Sequence, residues 1–276
     1  MKIVISGLGI IGGSFAKAIK KYTDHYIVGI NRSRQPLEMA LECGAIDEIG
    51  TPDSLRDADM LILGTFPAAA VSFVKEYAPL IPENCIVIDS CGIKSEICPE
   101  LTRLAQQYGF TFVGCHPMAG KETNGFVSAD ADLFGGASCI LVPCGAPKEK
   151  TDMVAAFAKK IGFGRVVYST PEKHDRMIAF TSQLPHVIAC AYVMSPVCPE
   201  HNGFSAGSYR DVSRVAHINE SLWTELFMEN NKPLTEEINI LIDNLLQIRD
   251  SIISGDREKL QGLLAESRQI KEELGE

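Results

Sequence analysis

The stretch "KIVISGLGIIGGSFAKAI" (Lys2 to Ile19) decides the fold. "KIVIS" is a continuous β-rich apolar run, as expected for a strand buried on both faces. It runs straight into "GLGIIGGS", where the glycines at 7, 9 and 12 fit G-x-G-x-x-G at the opening of a helix. Gly7 permits the tight turn, Gly9 lets the backbone approach a pyrophosphate, and Gly12 lets the helix lie close to the sheet. The first N–H groups of that helix and its positive dipole end then face the phosphates. Strand, glycine loop and helix in this order separate a dinucleotide site from a merely structural turn. Gly7, Leu8, Gly9, Ile10, Ile11 and Gly12 therefore read as cofactor-binding.

The next strand, "YIVGI" from Tyr26, leads into "NRSR". Asn31 stands 19 residues after Gly12, where an acid would hold the ribose 2′-hydroxyl of NAD. The acid is absent, and Arg32, Ser33 and Arg34 follow. An arginine and a hydroxyl suit a 2′-phosphate, so Asn31, Arg32 and Ser33 read as cofactor-binding and NADP is favoured over NAD. The competing reading is two solvated arginines with NAD bound.

Further apolar runs begin at Met60, Cys85, Phe110, Ser138 and Arg165, with helical patterns between most of them and a loop over Pro143 to Lys150. This rhythm predicts an α/β fold with a doubly wound, mostly parallel sheet. The pattern changes near Thr170, which caps a long helix with Pro171 at its first position. Pro185 should kink that helix. Only helical patterns follow, and Leu241, Leu245, Ile248 and Ile252 form an apolar stripe suited to packing on a second copy. The boundaries read as a nucleotide-binding domain over 1–169 and an all-helical substrate-binding and dimerisation domain over 170–276.

Composition narrows the partners. The 276 residues carry 35 acids against 26 bases, a net charge of -9, which argues against nucleic acid. An anionic ligand would then need a locally positive pocket. The 9 cysteines are odd in number, scattered and without a CxxC pair, so no metal site is expected, and free thiols in a reducing cytoplasm are. No apolar run approaches a membrane span, and the chain opens on a strand with no leader.

Ligands of open α/β sheets bind beyond the carboxyl ends of the strands. In "GCHPMAG" (Gly114 to Gly120), His116 reads as lying just past such an end, held extended by Pro117. A histidine there is a natural acid/base partner for hydride transfer from a carbinol-type carbon. The competing reading is a hydrogen-bonded structural histidine.

"GLGIIGGSFA", "GCHPMAGKETNGF", "TSQLPH" and "RDVSRVA…LW", in that order, resemble the prephenate/arogenate dehydrogenase family of tyrosine biosynthesis over essentially the whole chain. The resemblance implies a Rossmann domain and a helical dimerisation domain. It also implies oxidative decarboxylation of prephenate or arogenate, with hydride passing to NAD(P)+. His116 would polarise the substrate's 4-hydroxyl as a neutral base, so activity should fall at acidic pH. Arg214 would hold a substrate carboxylate; its alternative is a surface ion pair. His186 would lie near the substrate side chain or be a helix-core histidine. Gly207, Trp223 and the Arg210–Asp211 pair would support the pocket or the fold.

Three positions depart from the family pattern. "DSCGIK" places Gly92 where the family has a serine assisting the histidine. Lys121, after "HPMAG", would meet a substrate carboxylate, a cofactor phosphate or solvent. His217 replaces a small residue. His174 and Asp175 read as structural. The alternatives are an arogenate dehydrogenase, another Rossmann-plus-helical reductase of the imine or β-hydroxyacid type, and a nucleotide-sensing module without chemistry.

Overall fold

A computed structural model describes residues 1–121 and 123–275. The chain forms two compact units, one of Met1–Ile178 with His217–Glu229, the other of Ala179–Ala216 with the chain from Asn230 onward.

The first unit is built on one sheet. Its strands are β1 (Lys2–Ser6), β2 (Tyr26–Ile30), β3 (Glu48–Ile49), β4 (Met60–Leu63), β5 (Ile86–Asp89), β6 (Thr111–Pro117), β7 (Ser138–Val142) and β8 (Arg165–Tyr168). The spatial order is β3-β2-β1-β4-β5-β6-β7-β8, with every pairing parallel except β6 on β7. Helices α1 (Ile10–Tyr22), α2 (Arg34–Glu42), α3 (Pro67–Tyr77), α4 (Ile97–Tyr108) and α5 (Lys148–Lys160) alternate with the strands, and α6 (Pro171–Ile178) follows them. Successive strand residues point to opposite faces. Ile3 and Ile5 accordingly enter one core with Phe15, Ile19, Phe134 and Phe163, whereas Val4 enters another with Leu61, Leu63, Val87 and Phe112. The Phe134 ring sits 4.7 Å from Phe15 and 4.6 Å from Phe163, anchoring α1 against the sheet.

The seven strands expected from apolar runs are present. The eighth, β3, is a two-residue edge strand with no apolar run to announce it. The expected loop over Pro143 to Lys150 is shorter, because Lys148 already begins α5. Thr170 caps α6 as expected, its Oγ1 accepting from Lys173 N–H at 3.3 Å. The largest correction concerns His116, which lies inside β6 rather than past its end. The parallel pairing of β6 with β5 stops at Val113, but β7 runs antiparallel beside the next residues and pairs His116 with Ile140. The ring therefore stands beyond the parallel register while its backbone is held by a ladder.

The second unit opens with a π-helical turn (Ala179–Gln183), then α7 (Leu184–Val193) and α8 (Gly207–Ser213). The kink expected at Pro185 takes the form of this wide turn just before it. Proline in the first turn of α7 cannot donate to a preceding carbonyl, and π turns are one way a helix absorbs that loss. In the first unit lies α9 (Glu220–Glu229). The second unit then continues with α10 (Asn231–Ser254) and α11 (Arg257–Glu273). Among the described residues, no helix is long and apolar enough to cross a membrane.

Candidate active site

The glycine loop behaves as its spacing predicts. Gly7 has φ +94°, and a Cβ there would stand 2.7 Å from Gly64 O. A Cβ on Gly12 would stand 1.8 Å from Gly7 O, so only glycine lets α1 come this close to the loop. At Gly9, by contrast, an added Cβ meets nothing within 4 Å, which is the open approach a pyrophosphate needs. No side chain caps α1 and no acid sits in its first turn, so its positive end is not neutralised locally. Thr65 Oγ1, beside Gly7 at the end of β4, is buried with no hydrogen-bond partner among the described residues. An orphaned hydroxyl next to an open cradle fits a bound dinucleotide, and sequence reasoning missed it because an isolated threonine after a strand carries no pattern.

Asn31 has a different place from the one its position suggested. Its Oδ1 accepts from Leu8 N–H at 3.0 Å and its amide donates to Ser33 O at 2.9 Å. Asn31 thus ties the end of β2 to the glycine loop. Arg32 and Ser33 are exposed, and Arg34 pairs with Glu38 at 2.8 Å.

His116 lies in the same unit. Its partly buried ring has Nδ1 2.8 Å from His174 Nε2, and His174 Nδ1 is 2.6 Å from Asp175 Oδ1. Both His174 and Asp175 are buried. The first turns of α6 bring His174 against His116, 58 positions earlier in sequence, with Asp175 behind it. The signal available was Thr170-Pro171, which fixes the start of α6 and so the face on which His174 falls. Burial lowers the pKa of His116 well below the ordinary histidine value, with the neighbouring His174 and Lys94 acting in the same direction. The ring is therefore neutral at physiological pH.

The other edge of the ring faces Gly92, where a Cβ would stand 4.0 Å from His116 Nε2 and 3.5 Å from Leu226 Cδ2. A serine at this position would stand beside that nitrogen; glycine leaves room there for a Cβ at ordinary contact distance. Beneath it, Lys94 is fully buried and donates to Asp89 Oδ2, Cys91 O (2.8 Å) and Cys115 O (2.7 Å). Asp89 also accepts from the N–H of Cys91 and of Cys115, each at 2.9 Å. Burial alone would lower the lysine pKa, but the Asp89 carboxylate holds it above the ordinary value. This closed network fixes the backbone of Cys115, the residue before His116.

The remaining expected site residues divide between the units. Lys121, in the first, pairs with Asp130 at 3.0 Å, both side chains being about half exposed. Such a pair contributes little, so an arriving anion can compete for the lysine. His186, Gly207 and Arg214 lie in the second unit, where α7 packs against α8 and against the turn Arg214–Ala216. His186 Nδ1 is 2.8 Å from Ser182 O, in the π turn, and Gly207 and Arg214 are exposed. A cavity of about 410 Å³ in this unit, lined by Tyr192, His201, Phe204 and Tyr209 among others, is bordered by none of these three residues. Trp223, on α9 in the first unit, stacks edge-on with Phe227 at 5.5 Å. Arg210 and Asp211 are both exposed on α8. Nothing in the structure explains His217, which is exposed. No group of three or more potential ligands could hold a metal among the described residues.

Residues 15–168 match the family model of the prephenate dehydrogenase nucleotide-binding domain, and residues 170–266 match that of the prephenate dehydrogenase dimerization domain. The chain belongs to the prephenate dehydrogenase family. Members of this family are NAD(P)-dependent oxidoreductases. The chain is 31% identical to the cyclohexadienyl dehydrogenase of Zymomonas mobilis over 280 residues, covering 98% of this chain and 94% of that one. It is similar to a solved arogenate dehydrogenase from Synechocystis, at 25% identity and TM-score 0.86 over 99% of this chain and all of that one. A prephenate dehydrogenase from A. aeolicus, solved with hydroxyphenyl propionate and NAD+, matches at 26% identity and TM-score 0.87, covering 99% and 98%. The matches to both family models favour this family over another Rossmann-plus-helical reductase. The glycine loop precedes the first matched stretch, so its assignment stands on its own geometry.

Proposed function

We propose that the protein oxidatively decarboxylates prephenate to 4-hydroxyphenylpyruvate, with hydride passing to NAD(P)+. The observation that carries this reading is the place of His116, whose burial favours the neutral ring and whose Nε2 faces Gly92, in the same unit as the glycine loop. When bound, the nicotinamide supplies the hydride acceptor. Gly7, Leu8, Gly9, Ile10, Ile11, Gly12 and Thr65 hold the dinucleotide. His116 Nε2 accepts a hydrogen bond from the 4-hydroxyl and takes its proton as the ring carbon loses hydride. Loss of CO2 then makes the ring aromatic. Arg214 holds a carboxylate with its planar fork, a role no aliphatic ammonium fills as well. Lys121, His186 and Gly207 complete the substrate side.

The finer preferences belong to the same proposal. Exposed Arg32 and Ser33, with no acid at position 31, favour NADP over NAD. The division into 1–169 for the cofactor and 170–276 for substrate and dimerisation is supported by the two matched stretches. Leu245 and Ile252 on α10 are 55% and 62% exposed, an apolar face suited to a second copy of the chain, so a homodimer is proposed. Nine free cysteines suit a reducing cytoplasm. The likeness to the Synechocystis enzyme favours arogenate as the second reading.

The test is to follow nicotinamide reduction by absorbance with prephenate and with arogenate, each with NADP+ and NAD+. Prephenate with NADP+ is expected to give the highest kcat/KM. Absence of turnover in all four combinations would overturn the proposal.

A further inference from the structure

Hydrogen-bond directions around His116 are set by a single acceptor one ring away. Asp175 Oδ1 receives Lys94 N–H at 2.8 Å, and Oδ2 receives Ser95 N–H at 2.7 Å. Burial alone would raise the Asp175 pKa, but hydrogen bonds from His174, Ser95 and Lys94 offset this and hold it below the ordinary carboxylate value. An ionised carboxylate only accepts. The proton between His174 and Asp175, whose atoms are 2.6 Å apart, therefore belongs to His174 Nδ1. His174 lies fully buried between the Asp175 carboxylate and a second imidazole. An imidazole whose single N–H is given to that carboxylate offers its other nitrogen as an acceptor, here His174 Nε2. His116 Nδ1, at 2.8 Å, must then be the donor. Its remaining nitrogen, Nε2, carries the lone pair and faces Gly92.

We propose that His174 and Asp175 form a positioning dyad that locks His116 as its Nδ1–H tautomer and so presents Nε2 permanently as the proton acceptor. This rests on the reading of His116 as the base, which it deepens. When Nε2 takes the hydroxyl proton, the O–H bond breaks, an N–H bond forms, and the electron pair stays on oxygen to become the carbonyl. The imidazolium so formed shares its Nδ1–H with His174, whose other side faces a carboxylate. The dyad thus serves in both halves of the transfer, orienting the neutral ring and steadying the charged one. The closed Lys94–Asp89 pair lies beside it, and Glu229, held up to about 7 by burial together with Glu225, Glu96 and Asp175, faces the Asp175 side. None of these groups stands between the two imidazoles.

The test combines nitrogen NMR with kinetics on the full chain. With 15N-histidine labelling at mildly alkaline pH, the ring signals lost in His116→Asn identify His116. Wild type is expected to show a protonated Nδ1 and an unprotonated Nε2. Asp175→Asn, whose amide can donate to His174, is expected to reverse that pattern. Turnover should fall about 10²-fold or more with KM little changed, as when the carboxylate of a Ser-His-Asp triad becomes an amide. His174→Gln, whose amide oxygen can accept the same N–H, should keep the tautomer and more turnover than His174→Leu. A protonated Nε2 in wild type overturns the dyad, as do wild-type rates in both Asp175→Asn and His174→Leu. If Asp175→Asn does not fold, the wild-type tautomer and the two His174 variants decide the matter. Should wild type show the expected tautomer yet oxidise neither prephenate nor arogenate, the dyad stands and the reaction reading fails.

Discussion

Replacing Lys94 by methionine isolates the buried charge beneath His116. The ammonium meets the Asp89 carboxylate and two backbone carbonyls at 2.8 and 2.7 Å, and both charged side chains are fully buried. Methionine keeps the length and nearly the volume, so the cost is electrostatic rather than a cavity. It leaves Asp89 ionised in the core with only the N–H groups of Cys91 and Cys115. Breaking a buried pair by removing one partner costs about 3–5 kcal/mol. At roughly 2–4 °C per kcal/mol for a chain of this size, Tm should fall by about 6–20 °C. Thermal melts and denaturant unfolding at neutral pH measure the loss. Adding Asp89→Asn to Lys94→Met should recover part of the loss, because the stranded charge is gone. A cost under about 1 kcal/mol, or a double variant no more stable than the single one, would refute the reasoning.

Other perturbations separate fold from function. Gly9→Ala should leave Tm unchanged and weaken cofactor binding. Gly12→Ala should cost about 1–3 kcal/mol by overpacking as well as cofactor affinity; thermal melts with and without NADP+ distinguish the two. At position 92 a serine should fold normally, whereas Gly92→Val should cost about 10²-fold in kcat/KM with Tm retained, since its methyls fill the place His116 Nε2 faces. The acidic limb of kcat/KM due to His116 should have its midpoint below about 6.5, because burial favours the neutral ring; a midpoint at or above that value contradicts the environment described. Glu229→Gln should stabilise the protein at alkaline pH by about 1 kcal/mol after allowance for solvent screening, and not at acidic pH, where the carboxyl is already neutral.

Some features were legible because they are local. The glycine spacing, the doubly buried strands and the capped start of α6 each follow from a few neighbouring residues, and each is present. The β3 edge was not legible, since two residues make no pattern. The antiparallel β7 was not either, because an apolar run does not reveal its direction, and this is why His116 falls inside a strand. The count from Gly12 marked Asn31 as standing in place of the ribose acid, but not that its amide ties Leu8 to Ser33. His174, Asp175 and Lys94 were the main omissions. Their significance comes from contacts across 58, 81 and 21 positions, and burial of polar groups appears only when those segments meet.

The most direct measurement of the central claim is turnover of His116→Asn with prephenate beside its affinity for the cofactor. The account predicts a loss of about 10²-fold or more in kcat with cofactor binding unchanged. Turnover at the wild-type rate with the cofactor still bound would contradict it.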